Sequence, residues 1–275
     1  LRKRIRTLHR DSFRDDPTRL LRAAEFEVRF EFEMDPDTLA DAEAAIAGGA
    51  MARLSSSRLR GALKRALGRA TTAGRVLRRL DDLRILQAID PALDGSAGVQ
   101  ARFETGWREL PPPGPGRETR PQAVFRLALL SLVFDLGPAD RERLARRLDL
   151  AAPEAALVEL GPERVRKALA GLGPATAPSA VHQLLAPLEE EELALVAATG
   201  EAPRGWVSRE LREMRPFRLA IGGAELLAAG VAAGPLLGRA LDLTLRARLD
   251  GKVGQDQELG YALRIAEQDA SRGVR

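Results

Sequence analysis

The chain has 275 residues, of which 45% are hydrophobic and 30% charged, and a formal net charge of +4. This is the composition of a water-soluble globular protein with room for two or more domains. It has no cysteine and only two histidines, His9 and His182. Disulfides and thiolate metal sites are thereby excluded, a histidine metal site is not expected, and a reducing, cytoplasmic setting is expected. No run of about 18 apolar residues occurs and no secretory leader pattern is visible, so no membrane partner is expected.

The first residue, Leu1, is not Met, and Arg2 to Leu8 reads as the tail of an element whose beginning is missing. A fragment, a processed chain or a chain without its N-terminal domain is the expectation. The first predicted helix covers residues 17–31. Asp16 is placed as its cap and Pro17 at its first position, where a missing N–H costs nothing. Leu20, Leu21, Ala24 and Val28 give it one apolar face. Asp16 and Arg19 lie three apart and share a face, as do Arg19 and Arg22. A carboxylate beside a guanidinium offers acceptors next to a fork of donors, the groups needed to read the Watson–Crick edge of a nucleobase. On spacing alone, an ordinary cap and a solvated arginine account for these residues more readily.

Further helices are predicted at 37–48, 56–69, 72–80, 81–88, 98–107, 119–135 and 139–148. The helix at 56–69 carries an apolar stripe of Leu59, Ala62, Leu63, Ala66 and Leu67, with Ser55 to Ser57 as cap candidates. Its other face carries Arg58, Arg60, Lys64, Arg65 and Arg69. Together with the arginines up to Arg84 they form a basic block that fits phosphate binding, although a solvated helix face accounts equally well for any one of them. Pro111 to Gly116 cannot be helical and reads as an exposed, stiff connection. Helices then follow at 152–159, 162–171, 177–186, 189–198, 204–213, 223–229, 234–250 and 254–268. The run Glu189 to Glu192 opens one of them and reads as solvated charge suited to the helix dipole. Near the end, Gly230 fits a helix C-terminal cap, and Gly234-Pro235 fits a turn and a new helix start.

Asp15-Asp16-x-x-Arg19, continued by Leu21, Arg22, Ala23 and Phe26, closely resembles the nucleotide-selecting motif of class II tRNA nucleotidyltransferases and bacterial poly(A) polymerases. Phe30, Phe32, Met34, Asp35, Pro36 and Thr38 follow the family's run into the next helix. Arg58 and Arg60 match the following motif, with Ser57 in place of its Glu. Leu83, Ile85, Leu86, Ile89, Pro91 and Leu93 fit a third segment, with Arg84 where the family has Gly. The glycine-rich C-terminal pattern is met by Gly223, Leu226, Gly230, Gly234, Pro235, Gly238 and Leu241. One departure falls in the first motif, where Glu25 stands in place of an Arg before Phe26.

The resemblance implies an all-α, elongated multi-helix array of neck, body and tail that lacks the α/β nucleotidyltransferase head. The expected division is a base-selecting neck at 1–97, a helical body at 98–187 and an RNA-binding tail at 188–275. Asp16, Arg19 and Arg22 would bind the incoming nucleotide. Arg58, Arg60, Lys64, Arg65 and Arg69 would bind RNA. The full enzyme would add CMP or AMP to tRNA 3′ ends, using ATP or CTP and Mg²⁺ held by two carboxylates of the head. No such carboxylate motif is found in this chain, which alone is expected to be inactive, with no catalytic or metal-binding residues and no bound cofactor. The alternative is a non-catalytic helical RNA-binding or regulatory module derived from that family.

Overall fold

The structure, a computed structural model, describes residues 3–110 and 120–271. The connection expected at Pro111 to Gly116 lies outside the described residues. The chain divides into two compact units, residues 1–166 with 189–199, and residues 167–188 with 200–275. Both are helical, as the residue periodicity and the Ala/Leu/Arg/Glu bias require.

In the first unit, β1 (Arg4–Ile5) precedes α1 (Ser12–Asp15) and α2 (Thr18–Phe30), and β2 (Glu33–Met34) follows. The two strands pair in parallel, Arg4 opposite Glu33 and Ile5 opposite Met34. Neither the strand pair nor α1 is expected from sequence, because two and four residues are too few to show a period. Glu31 ends α2 in a left-handed conformation, φ 55°. Asp35 caps α3 (Pro36–Ala47) by accepting from the Thr38 amide at 2.8 Å. Ser55 does the same for α4 (Ser56–Leu67), with Arg58 N at 3.4 Å.

Next come α5 (Ala73–Asp82), the short α6 (Ile85–Ile89) and α7 (Ala97–Glu109). Leu20, Leu21 and Ala24 of α2, Leu59, Leu63 and Leu67 of α4, and Val76, Leu77 and Leu80 of α5 are buried together. α8 (Arg120–Val133) is apolar over most of its surface, with Val124 through Val133 all buried, and runs through the core of the unit. It packs on α4, α5, α7 and α12 (Glu190–Ala197). α9 (Pro138–Arg147) is tied to the core through Arg143, which makes two hydrogen bonds to Asp90 at 2.6 and 2.7 Å.

Two expectations are corrected here. The helices expected at 152–159 and 162–171 are one, α10 (Ala152–Gly171), with Pro162 inside it. Leu157, Val158 and Val165 are buried on both sides of the proline, and that burial offsets the backbone bond the proline removes. The acidic run is not all solvated. Glu191 and Glu192 are buried. Arg126 holds Glu191 with two bonds of 3.1 Å, and Glu192 accepts from the Glu189 amide at 2.7 Å, closing a capping box.

The second unit contains α11 (Pro178–Leu185), α13 (Glu201–Arg209), α14 (Gly223–Ala228), α15 (Pro235–Leu249) and α16 (Glu258–Ser271). α13 runs on into a wider π-turn at Glu210–Met214. The fully buried Glu210 of that turn meets His182 Nδ1 at 2.9 Å and Arg215 Nε at 3.4 Å. Leu226, Ala240, Ala262 and Ala266 form a core joining the last three helices. Gly230 and Gly234, at φ 92° and 140°, make the turn between α14 and α15, in line with the cap and turn read from the sequence.

Candidate functional site

The site grows from the start of α2. Asp16 is extended, and its Oδ1 accepts from the Thr18 amide at 3.1 Å and the Thr18 hydroxyl at 2.6 Å. Asp16 thus satisfies the first amide of α2 through its side chain, although Pro17 rather than Asp16 stands at the N-cap and the helix begins at Thr18. The same Oδ1 accepts from Arg58 Nη2 at 3.0 Å. Burial alone would push the Asp16 carboxyl up. The two Thr18 bonds and the Arg58 and Arg19 charges outweigh it and hold the group below the usual carboxylate range, so it is ionised at neutral pH.

Arg19 lies one turn on. Its Nη1 donates to Ser12 Oγ at 2.7 Å and to Ser12 O at 3.2 Å, and its Nε is 4.0 Å from Asp16 Oδ2. Arg22, a further turn along, is exposed and lies over the Phe26 ring at 5.1 Å. Among the described residues it has no carboxylate partner.

These residues line a cavity of about 720 Å³. Asp16, just ahead of α2, and Arg19, Arg22, Phe26 and Arg29 of α2 line one side at spacings of three and four. α4 contributes Ala62, Arg65, Ala66 and Arg69 at the same spacings. The small buried Ala62 and Ala66 leave space between the two ridges. From Asp16 to Arg29 the α2 side runs ~20 Å at the rise of an α-helix. Glu25 also lines the cavity, largely buried, 3.8 Å from Arg29 Nη1. The departure from the family pattern therefore lies inside the site. Its charge is met by an arginine one turn further along α2.

The three residues expected to hold the nucleotide thus come together. The five expected to hold RNA take different places. Arg65 and Arg69 join the cavity. Arg58 is committed to Asp16. Arg60 reaches the Leu148 carbonyl at 3.5 Å and the Asp149 carboxylate at 3.6 Å. Lys64 is partly buried and outside the cavity lining. Sequence reasoning missed Ser12, Thr18 and Arg29. Thr18 had a local signal, a hydroxyl two residues after a capping Asp, whereas Ser12 had none. Among the described residues no group of three or more acidic or imidazole side chains is placed to hold a metal ion. No helix among them is long and apolar enough to cross a membrane.

Comparison with known proteins bears on the fold and on sequence similarity along the chain. No family model matches the chain. Among solved structures, a CCA-adding enzyme in complex with ATP has a TM-score of 0.79 at 24% identity, over 94% of this chain and 61% of that one. The Thermotoga maritima CCA-adding enzyme complexed with tRNA has a TM-score of 0.78 at 23% identity, over 96% of this chain and 64% of that one. The fold is therefore that of the helical portion of CCA-adding enzymes. In sequence, the chain is similar along nearly its whole length to a tRNA nucleotidyltransferase. The A-adding enzyme of Geobacter sulfurreducens is 27% identical over 281 residues, 96% of this chain and 31% of that protein. A multifunctional CCA protein of Nitrosococcus oceani is 46% identical over 57 residues, 21% of this chain and 14% of its own length. The chain spans less than a third of the length of either curated relative.

Proposed function

We propose that this chain is the base-selecting and RNA-binding portion of a template-independent nucleotidyltransferase that adds CMP or AMP to tRNA 3′ ends. The observation that carries the reading is the pairing of Asp16 and Arg19 in the lining of a cationic cavity. Asp16 Oδ1 is already taken by three donors, so Oδ2 is the oxygen left to accept. Arg19 Nη1 makes two bonds to Ser12, which leaves its Nε–Nη2 edge to donate. An acceptor beside two donors complements cytosine, whose edge offers an amino group followed by two acceptors. It also complements the amino group and ring nitrogen of adenine. Guanine and uracil present a carbonyl to the carboxylate, leaving like acceptors opposed, so they are disfavoured.

Arg22, Arg65 and Arg69 have no carboxylate partner among the described residues and would attract the phosphates of nucleotide and RNA. On this reading residues 1–97 select the base, 98–187 form the body, and 188–275 extend the contact with tRNA. Mg²⁺ and the carboxylates that hold it would belong to a catalytic head. The described residues do not fit a metal, and no metal step is assigned to them.

Glu25 inside the cavity favours a second reading, a helical RNA-binding module without catalysis. Nucleotide discrimination separates the two. In the nucleotidyltransferase carrying this chain, Arg19→Ala should level the incorporation ratios of ATP, CTP, GTP and UTP, by the ~1–3 kcal/mol that a lost bidentate base contact is worth. Affinity for tRNA should change much less. Unaltered ratios would remove the base-reading role and leave the second reading.

A further inference from the structure

We infer that Ser12 is a positioning residue for base selection, a role that rests on the base-reading function of Arg19 and Asp16. Ser12 opens α1, the short helix that lies before the motif. It is buried, and the neighbouring Phe13, 2% exposed, anchors the turn in the core.

Three bonds converge on Ser12. Its hydroxyl accepts from Arg19 Nη1 at 2.7 Å. Its carbonyl oxygen accepts from the same Nη1 at 3.2 Å and from the Asp16 backbone amide at 3.2 Å. One residue therefore holds the guanidinium of one reader and the main chain of the other.

Free arginine side chains sample many rotamers, and a base contact made by such a group loses the entropy of ordering it. With Nη1 bonded twice to a buried partner, the guanidinium plane is restrained before a nucleotide arrives. The edge that faces the ligand is then always Nε–Nη2, beside Asp16 Oδ2. Discrimination between an amino group and a carbonyl needs this ordering. A guanidinium free to turn could present donors to the carbonyl of guanine or uracil as readily as to cytosine.

The test uses the nucleotidyltransferase carrying this chain, with KM and kcat measured for each of the four nucleotides and tRNA affinity measured separately. Ser12→Ala should raise the KM for ATP and CTP, and should raise relative misincorporation of GTP and UTP by about tenfold, the scale of a lost hydrogen bond to a charged group. Its tRNA affinity should stay at the wild-type value. Ser12→Thr keeps the hydroxyl and should restore most of the discrimination. Ser12→Cys fills the same space with a poor acceptor and should behave like Ser12→Ala, and it decides the matter if the alanine variant does not fold. If Arg19→Ala levels the ratios while Ser12→Cys and Ser12→Ala leave them and the KM values untouched, the positioning role is wrong and base reading stands. If Arg19→Ala itself leaves the ratios unchanged, both fall.

Discussion

Arg84 sits between α5 and α6 at φ 59°, ψ 18°, in the left-handed region that L side chains avoid. It is exposed, and its amide closes the end of α5 on the Asp81 carbonyl at 2.8 Å. This is the position where the family resemblance calls for glycine, and the backbone shows why. Only a residue without Cβ takes this conformation freely. Arg84→Gly should therefore raise stability by about 1 kcal/mol. Chemical denaturation would read this as a higher midpoint at unchanged slope; a lower midpoint would show that Arg84 makes a compensating contact.

Asp16 and Arg19 were legible in the sequence because their relation is local, set by a cap and a three-residue offset on one helix. The contacts of Ser12 and Arg58 with them were not. They depend on where a four-residue helix turns the chain, and on α4 packing against α2 across 42 residues of sequence.

Among the elements, the long amphipathic helices were readable to within a few residues, since burial of one face repeats every three or four positions. What stayed hidden is decided by tertiary contact. Pro162 looked like a boundary and is carried inside α10. The acidic start of α12 looked solvated and is half buried against Arg126. A close approach between elements was equally invisible. Gly95, in the link from α6 to α7, has the Leu77 carbonyl oxygen 2.5 Å from where a Cβ would lie, and Asp81 Cβ at 2.7 Å. A helix carbonyl cannot move without breaking its own bond. Gly95→Ala should destabilise the fold by at least the ~1–3 kcal/mol typical of overpacking. A thermal melt of that variant at or above the wild-type midpoint would show that the link shifts freely.

For the whole molecule, charge governs two behaviours. Aromatic residues make up only 4% of the chain, so under the proposed function affinity for tRNA should come from phosphate contacts more than stacking. Binding should weaken steeply with salt, and replacing Arg65 and Arg69 together by Ala should reduce the logarithmic slope by about two. An unchanged slope would place the phosphate contacts elsewhere.

Acid stability is the second behaviour. The carboxyls of Asp16, Asp90, Glu163 and Asp250 are all held below their ordinary values. For Asp90 the hydrogen bonds from Arg143 outweigh burial. Their contribution is fully present above the ordinary carboxylate range and is lost as pH falls through the depressed values. Glu192 opposes them. Burial pushes its carboxyl up, so its charged form costs stability at neutral pH and acidification relieves it. With these four carboxyls depressed against one raised, stability should fall as pH drops through and below the ordinary carboxylate range. Asp90→Asn should lose stability at pH 7 and show a flatter decline toward acid; parallel pH profiles would exclude Asp90 from the linkage.

The two-residue strand pair has a consequence for chain entropy. Lys3 O and Ile5 O accept from the Glu33 and Asp35 amides, each at 3.1 Å, and Arg6 Nε meets Asp35 Oδ2 at 2.6 Å. These few bonds close a loop containing all of α1 and α2, with Ser12, Asp16 and Arg19 inside it. Closing some thirty residues costs about 3 kcal/mol, a sum that the packing of both helices must offset before the ends meet. Once they have met, neither end of the loop can fray independently. Opening the strand pair and loosening Ser12, Asp16 and Arg19 should then become one cooperative event. The exchange rate of the Glu33 and Asp35 amide hydrogens would report the order of Arg19 from the opposite end of α2.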